Sequence, residues 1–284
     1  MIIIGSGPAG ISASLYALRA GIKTTIITTG KSALDTAKEV ENYYGFPTPV
    51  SGPNLLSDGL AQAHRLGAEI VEQEVVAVEE DDDCLVVTTN DASYSGKAVI
   101  MATGSSRSKP KWQGIDTYEG MGISYCAVCD GFFFKGKDIA VAGSGPYALH
   151  ELEALLPIAG SVTLCTDGKP ITTEFPKEIK IIESPVATLL GDTALSAIHF
   201  KDGSALEVAA LFVAIGTAGS SEIANAAGAD IKDGDIVVDG HMRTNIPGLF
   251  AAGDCTGGMK QIAKAVYEGA VAGTEATKML RGYK

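Results

Sequence analysis

The chain has 284 residues, 46% hydrophobic and 20% charged, with a net charge of −12, the composition of a globular protein with room for one large or two modest domains. The acidity disfavours phosphate backbones and so excludes nucleic acid as a partner, and no apolar stretch is long enough for a membrane span or a signal peptide core. Five cysteines, with Cys84, Cys165 and Cys255 standing alone, suit a reducing cytoplasm better than an oxidised secreted scaffold.

The first residues, MIIIGSGPAG, are an apolar strand running into Gly5, Gly7 and Gly10. The helical pattern ISASLYALRAG follows, then a second strand, TTIIT, over Thr24–Thr28. In such a unit the glycines remove side chains that would keep a pyrophosphate from the backbone amides at the helix N-terminus. The end of the second strand, TTGK, lacks the acid expected to hold a ribose hydroxyl. Next come a helix over Pro53–Leu66, strand-like runs at Glu69–Val78 and Cys84–Thr89, and the strand AVIMATG over Ala98–Gly104. A second apolar strand enters glycines at Ile139–Gly145, followed by the helical stretch YALHELEALLPIAG and the strand SVTLCTD over Ser161–Asp167, so the nucleotide-binding unit is repeated. Two further buried strands, LFVAIGT and GLFAAGDC, end in glycine, and the last continues into a long closing helix. The segments SSRSKPK and RTNIPG mark crossings between domains, which makes one domain discontinuous with the second repeat inserted into it.

Between the repeats lies SYCAVCDGFFF, which sets Cys126 and Cys129 at Cys-x-x-Cys spacing with Asp130 directly after. Such a pair serves as a metal clamp, a structural disulfide or a redox couple.

Six motifs occur in the order and at roughly the spacing of one family: GSGPAG, EVENYYGFP over Glu39–Pro47, ATG over Ala102–Gly104, CAVCDGFFF, LFVAIG and IPGLFAAGD. Almost end to end, the chain resembles the low-molecular-weight thioredoxin reductases, flavoproteins of the pyridine nucleotide disulfide oxidoreductase class. The resemblance implies an α/β fold of two Rossmann-like dinucleotide-binding domains, the second inserted into the first. A FAD-binding domain would comprise residues 1–109 and 242–284, and a central redox domain with a degenerate nucleotide-binding fold residues 110–241. It also implies a homodimer. Carried over position by position, Gly5, Gly7, Pro8 and Gly10 would sit at the FAD pyrophosphate, Asn42 near the flavin, and Thr103 and Gly104 beside the cofactor. Gly253 and Asp254 would make a second flavin contact, where a carboxylate can accept hydrogen bonds from ribityl or ribose hydroxyls. Lys260, Gln261 and Ile262 would lie at the isoalloxazine ring.

For the cysteine pair, the histidines and the other cysteines lie too far apart in sequence to complete a zinc site, and a two-residue spacer constrains too little chain entropy for a structural disulfide. A redox couple remains. The resemblance divides its labour: Cys129 would face the flavin, Cys126 would attack the disulfide of thioredoxin, and Asp130 would exchange protons with the thiols.

One motif departs from the family. Its usual members hold the 2′-phosphate of NADPH with a basic run after the second glycine loop, where this chain reads LCTDGKPITTEF. Asp167 puts a negative charge there, and Tyr147 is bulky where the pyrophosphate would approach. An acid at this place can also hold a ribose hydroxyl, which keeps NADH as an alternative donor. The departure matches the ferredoxin-dependent flavin thioredoxin reductases, which keep FAD and the dithiol but lack nicotinamide signatures. Transfer from a ferredoxin at about −400 mV to a thioredoxin at about −270 mV is downhill. Arg107, Lys109, Lys111, Lys135 and Lys137 gather in sequence around the redox segment and would form a basic patch for an acidic partner. A non-catalytic FAD-binding module is the reading from another class, and the intact Cys126, Cys129 and Asp130 argue against it.

Overall fold

The computed structural model describes residues 1–104, 110–216 and 219–282, apart from the side chains of Thr36, Val128 and Cys129. The chain forms two compact units, Met1–Arg107 with Gly219–Lys284, and Ser108–Ala218.

The first unit opens with β1 (Ile2–Ile4), α1 (Pro8–Arg19), β2 (Thr25–Thr28), α2 (Gly52–Arg65), β3 (Glu69–Glu72), β4 (Val75–Asp81), β5 (Cys84–Thr89), β6 (Ser93–Gly96) and β7 (Val99–Met101). The second unit holds α3 (Ile115–Tyr118), β8 (Ile123–Ser124), α4 (Ala127–Asp130), β9 (Asp138–Ala142), α5 (Pro146–Leu155), β10 (Ser161–Cys165), β11 (Lys180–Ile182), β12 (Val186–Leu190), β13 (Ala197–Phe200), β14 (Ala205–Glu207) and β15 (Ala210–Val213). The chain returns to the first unit with α6 (Ser220–Ala226), β16 (Ile231–Lys232), β17 (Asp235–Ile236), β18 (Leu249–Ala251) and α7 (Ile262–Leu280).

Each unit is built on a five-stranded parallel sheet, β18-β7-β1-β2-β3 in the first and β11-β10-β9-β15-β8 in the second. Parallel strands covered on both faces are apolar throughout, which is why III, VIM and LFA, rather than alternating patterns, form β1, β7 and β18. Helix α1 forms because Pro8 pre-sets its first turn and an alanine-rich stretch follows. Buried alanines of α1 meet glycines of α7: a Cβ on Gly269 would collide with the carbonyl of Ala9, and one on Gly273 with that of Ala13. The two helices therefore touch backbone to backbone, over a core that includes Ile3, Ile26, Ile100 and Phe250.

Two expectations from sequence are corrected. The run Glu69–Val78 is two strands. Gln73 donates its N–H to the Thr28 carbonyl at 2.9 Å to close the parallel sheet, and the chain then turns into the antiparallel sheet β4-β5-β6. Residues 219–241, expected in the central domain, group with the first unit, because α6 packs on β4 and β17 on the 3-10 turn Asp254–Thr256. No helix among the described residues is long and apolar enough to cross a membrane.

Candidate functional site

In the first unit the glycine loop joins β1 to α1. Gly5 takes φ +106°, and a Cβ there would run into the Ala102 carbonyl, so the residue must be glycine on both counts. Gly10 is pressed on the Gly5 carbonyl. Gly7 differs: a Cβ would meet nothing nearer than Ser32 Oγ at 3.9 Å, so this glycine leaves open space at the end of the helix. Gly7 is also the N-cap and Pro8 the first residue of α1, with no side chain capping the first turn. The amides of that turn are left for an anion. Where an acid was looked for at the end of β2, Thr28 bonds Ser6 Oγ at 2.7 Å.

The other residues singled out by sequence gather in the same unit. Asn42 Nδ2 donates to Gln261 Oε1 at 2.8 Å, joining two motifs that lie 219 residues apart. Gln261 is the N-cap of α7; Ile262 packs with Ile11, Leu34 and Leu56, and Lys260 is exposed. Thr103 Oγ1 bonds Ser220 Oγ, which in turn donates to the Gly104 carbonyl at 3.1 Å. Gly253 has φ +90° and caps the turn Asp254–Thr256, and no described residue engages the carboxylate of Asp254.

This turn is braced by two residues that the sequence reading passed over. Lys264 Nζ donates to the Gly253 carbonyl at 2.8 Å and to Thr256 Oγ1 at 2.9 Å, and pairs with Glu268 Oε2 at 3.0 Å. Glu268 also accepts the Gly253 N–H at 2.8 Å. Their i,i+4 spacing on α7 was the available signal.

In the second unit the redox segment connects β8 to α4. Cys126 is disulfide-bonded and buried. Cys129 lies on the backbone of α4, and its side chain is outside the described residues. Asp130 Oδ2 accepts from Ser124 Oγ at 2.6 Å, and Ser124 Oγ accepts the Cys126 N–H at 3.1 Å, so one hydroxyl ties the acid to the cysteine backbone. From α5, Tyr147 Oη donates to the Tyr125 carbonyl at 2.9 Å and Glu151 Oε2 accepts the Ala127 N–H at 2.5 Å. Ser124, Ser220 and Glu151 were not singled out from sequence. Ser220 stands in no glycine or cysteine motif; Ser124 opens SYCAVCDGFFF and Glu151 lies in the helical stretch after the second glycine loop, but neither pattern records which group the side chain reaches. Of the remaining cysteines, Cys165 and Cys255 are each pushed up to about 12 by burial and are inert thiols, while Cys84 donates to the Asp81 carbonyl at 3.2 Å.

The second glycine loop, between β9 and α5, is occupied by its own chain. Thr172 donates its N–H to the Ser144 carbonyl at 2.8 Å, and a Cβ on Gly145 would meet Thr172 Oγ1 at 3.1 Å. Tyr147 is buried at 2% exposure. Asp167, in the left-handed region at φ +53°, accepts the Val186 N–H at 2.8 Å and the Trp112 indole N–H at 3.3 Å, so both carboxylate oxygens are in use. Of the basic patch, Arg107 and Lys109 lie outside the described residues, Lys111 and Lys135 are exposed, and Lys137 Nζ sits 5.8 Å from the Phe134 ring centroid.

The chain belongs to the pyridine nucleotide-disulphide oxidoreductase family, whose model matches residues 1–269, in its low-molecular-weight thioredoxin reductase branch. It is 35% identical to a thioredoxin reductase of Aquifex aeolicus, covering 100% of this chain and 94% of that one. With a thioredoxin reductase of Streptomyces coelicolor it shares 38% identity over 89% of this chain and 85% of the other. Among solved structures it is similar to the atypical thioredoxin reductase TRi of Desulfovibrio vulgaris Hildenborough, at 38% identity and a TM-score of 0.91, covering 99% and 97% of the two chains. A ferredoxin-flavin thioredoxin reductase of Clostridium acetobutylicum matches at 29% identity and a TM-score of 0.73, over 99% and 97%. Proteins of this family bind FAD. The first unit fits that cofactor: the uncapped first turn of α1 beside the open face of Gly7 suits a pyrophosphate, and the unengaged carboxylate of Asp254 suits hydroxyls.

Proposed function

We propose that the protein reduces thioredoxin through the Cys126–Cys129 pair, with electrons from reduced ferredoxin and not from NADPH. FAD, when bound, supplies the electron pair that opens the disulfide. Cys126, once it has given up its proton, attacks the disulfide of thioredoxin, and Cys129 displaces reduced thioredoxin from the mixed disulfide, which restores the internal bond. Asp130, held by Ser124, exchanges protons with the sulfurs as they leave and return. The reading includes a cytoplasmic homodimer.

The observation that carries the choice of donor is the filled glycine loop of the second unit. Thr172 stands over Gly145 and bonds Ser144, where a pyrophosphate would need bare backbone. Asp167 would repel a 2′-phosphate, and with both oxygens engaged it is poorly placed to hold a ribose hydroxyl. The similarity to a ferredoxin-flavin thioredoxin reductase supports the same reading.

The test is anaerobic addition of NADPH, NADH or reduced ferredoxin to the FAD-loaded protein, following flavin bleaching and the thiols that appear on thioredoxin. Ferredoxin should drive both. Saturable reduction by micromolar NADPH would sink the proposal, and the same behaviour with NADH alone would transfer the role to that nucleotide.

Asp130→Asn should keep FAD and fold but slow thioredoxin reduction by about 10² or more, since it removes a positioned acid. An unchanged rate and pH profile would make Asp130 a structural partner of Ser124 only.

A further inference from the structure

Helix α5 follows a glycine loop, the place where a dinucleotide-binding helix presents its first turns to a pyrophosphate. Here two buried residues of that helix, one turn apart on one face, serve the redox segment instead. Tyr147, 2% exposed, bonds the carbonyl of Tyr125, and Glu151, 5% exposed, accepts the N–H of Ala127 at 2.5 Å. The two bonds fall on the residues that flank Cys126.

We propose that Glu151 is a positioning residue for the disulfide chemistry, its buried carboxylate on the Ala127 amide holding the Cys126 thiol in its neutral form and making the dithiol a stronger reductant. This rests on the reading of Cys126 and Cys129 as the redox pair. Reduction of the disulfide takes two electrons and two protons and yields two thiols, and above their pKa the thiols become thiolates. Ala127 N–H is the amide directly after Cys126. Left open, its dipole would favour a thiolate nearby; occupied by a carboxylate, it does not, and the added negative charge disfavours the thiolate further. The disulfide is uncharged and is little affected. Glu151 thus destabilises the reduced, ionised form relative to the oxidised one, which lowers the potential of the couple.

The sign has a pH window. A raised thiol pKa matters only where the thiol would otherwise ionise, so the effect is absent well below the ordinary thiol pKa of about 8.5, grows above it and is complete only above the raised value. The other titratable groups around the segment are Tyr125 and Cys129 within it, Asp130, bonded to Ser124, and Tyr147 and His150 on α5.

The experiment equilibrates wild type, Glu151→Gln and Tyr147→Phe with dithiothreitol and its cyclic disulfide, which supply and accept the two electrons, and counts thiols after acid quench and alkylation. At pH 9.5 Glu151→Gln should shift the exchange constant about tenfold toward reduced protein, equivalent to about 30 mV. At pH 6 it should match wild type within twofold, and Tyr147→Phe should match at both. No shift at pH 9.5, an equal shift at both pH values, or an equal shift in Tyr147→Phe would overturn the role of the charge. Should Glu151→Gln not fold, the alkylation rate of reduced wild type against pH decides: half-maximal reactivity above about pH 8.5 is expected, and a value below about 7 overturns the inference. None of these readings uses thioredoxin, so a disulfide that titrates as expected yet never exchanges with thioredoxin would defeat the proposed function alone.

Discussion

Cys126→Ser will abolish thioredoxin reduction, by about 10³-fold or more, while FAD content and fold are retained. A serine oxygen cannot form the mixed disulfide, and its pKa is far too high for it to act as an anion at neutral pH. The residues fitted to FAD all belong to the first unit, so the change leaves the cofactor cradle alone. No thiol outside the redox pair can take over: Cys165 and Cys255 are each pushed up to about 12 by burial, and Cys84 is engaged with the Asp81 carbonyl. The check is the rate of thiol appearance on thioredoxin with reduced ferredoxin as donor, beside the flavin absorbance of the purified variant. Residual turnover above a few per cent would show that Cys126 is not the attacking group.

Gly269→Val should destabilise the first unit strongly, by about 3 kcal/mol or more. Even a Cβ at this position collides with the Ala9 carbonyl, so α7 must move away from α1, and backbone offers no rotamer by which to yield. The displaced helices carry both cofactor elements, the first turn of α1 beside Gly7 and, at the head of α7, Gln261 with its bond to Asn42. FAD should therefore be lost together with stability. Urea unfolding and flavin retention on gel filtration measure the two effects. A variant that unfolds like wild type and remains yellow would contradict the close helix contact.

Much of the fold was legible in the sequence because glycine, proline and buried parallel strands write their constraints locally. The apolar runs III, VIM and LFA are strands, and Gly5, Gly7 and Gly10 mark the loop between β1 and α1. The run Glu69–Val78 misled because both of its halves are strand-like. What divides it is a hydrogen bond from Gln73 to Thr28, 45 residues earlier in the chain, which no local pattern records. The central boundary misled for a similar reason, since residues 219–241 carry no break in composition and their place follows from what α6 and β17 pack against.

The repeated strand–glycine–helix units, the cysteine pair with its acid, and the missing basic run after the second loop are all readable from local sequence. Each depends on residue type at short spacing, where backbone geometry and charge act directly. Packing of the folded chain, by contrast, is what brings Asn42 to Gln261, sets Lys264 and Glu268 against the Gly253 turn, fills the second glycine loop with Thr172, and carries Glu151 to the amide beside Cys126. Most of these contacts join residues far apart in sequence, and all are set by how helices and loops settle on the two sheets. Burial then gives a carboxylate or a hydroxyl its consequence, because a polar group removed from water must find its partner within the fold.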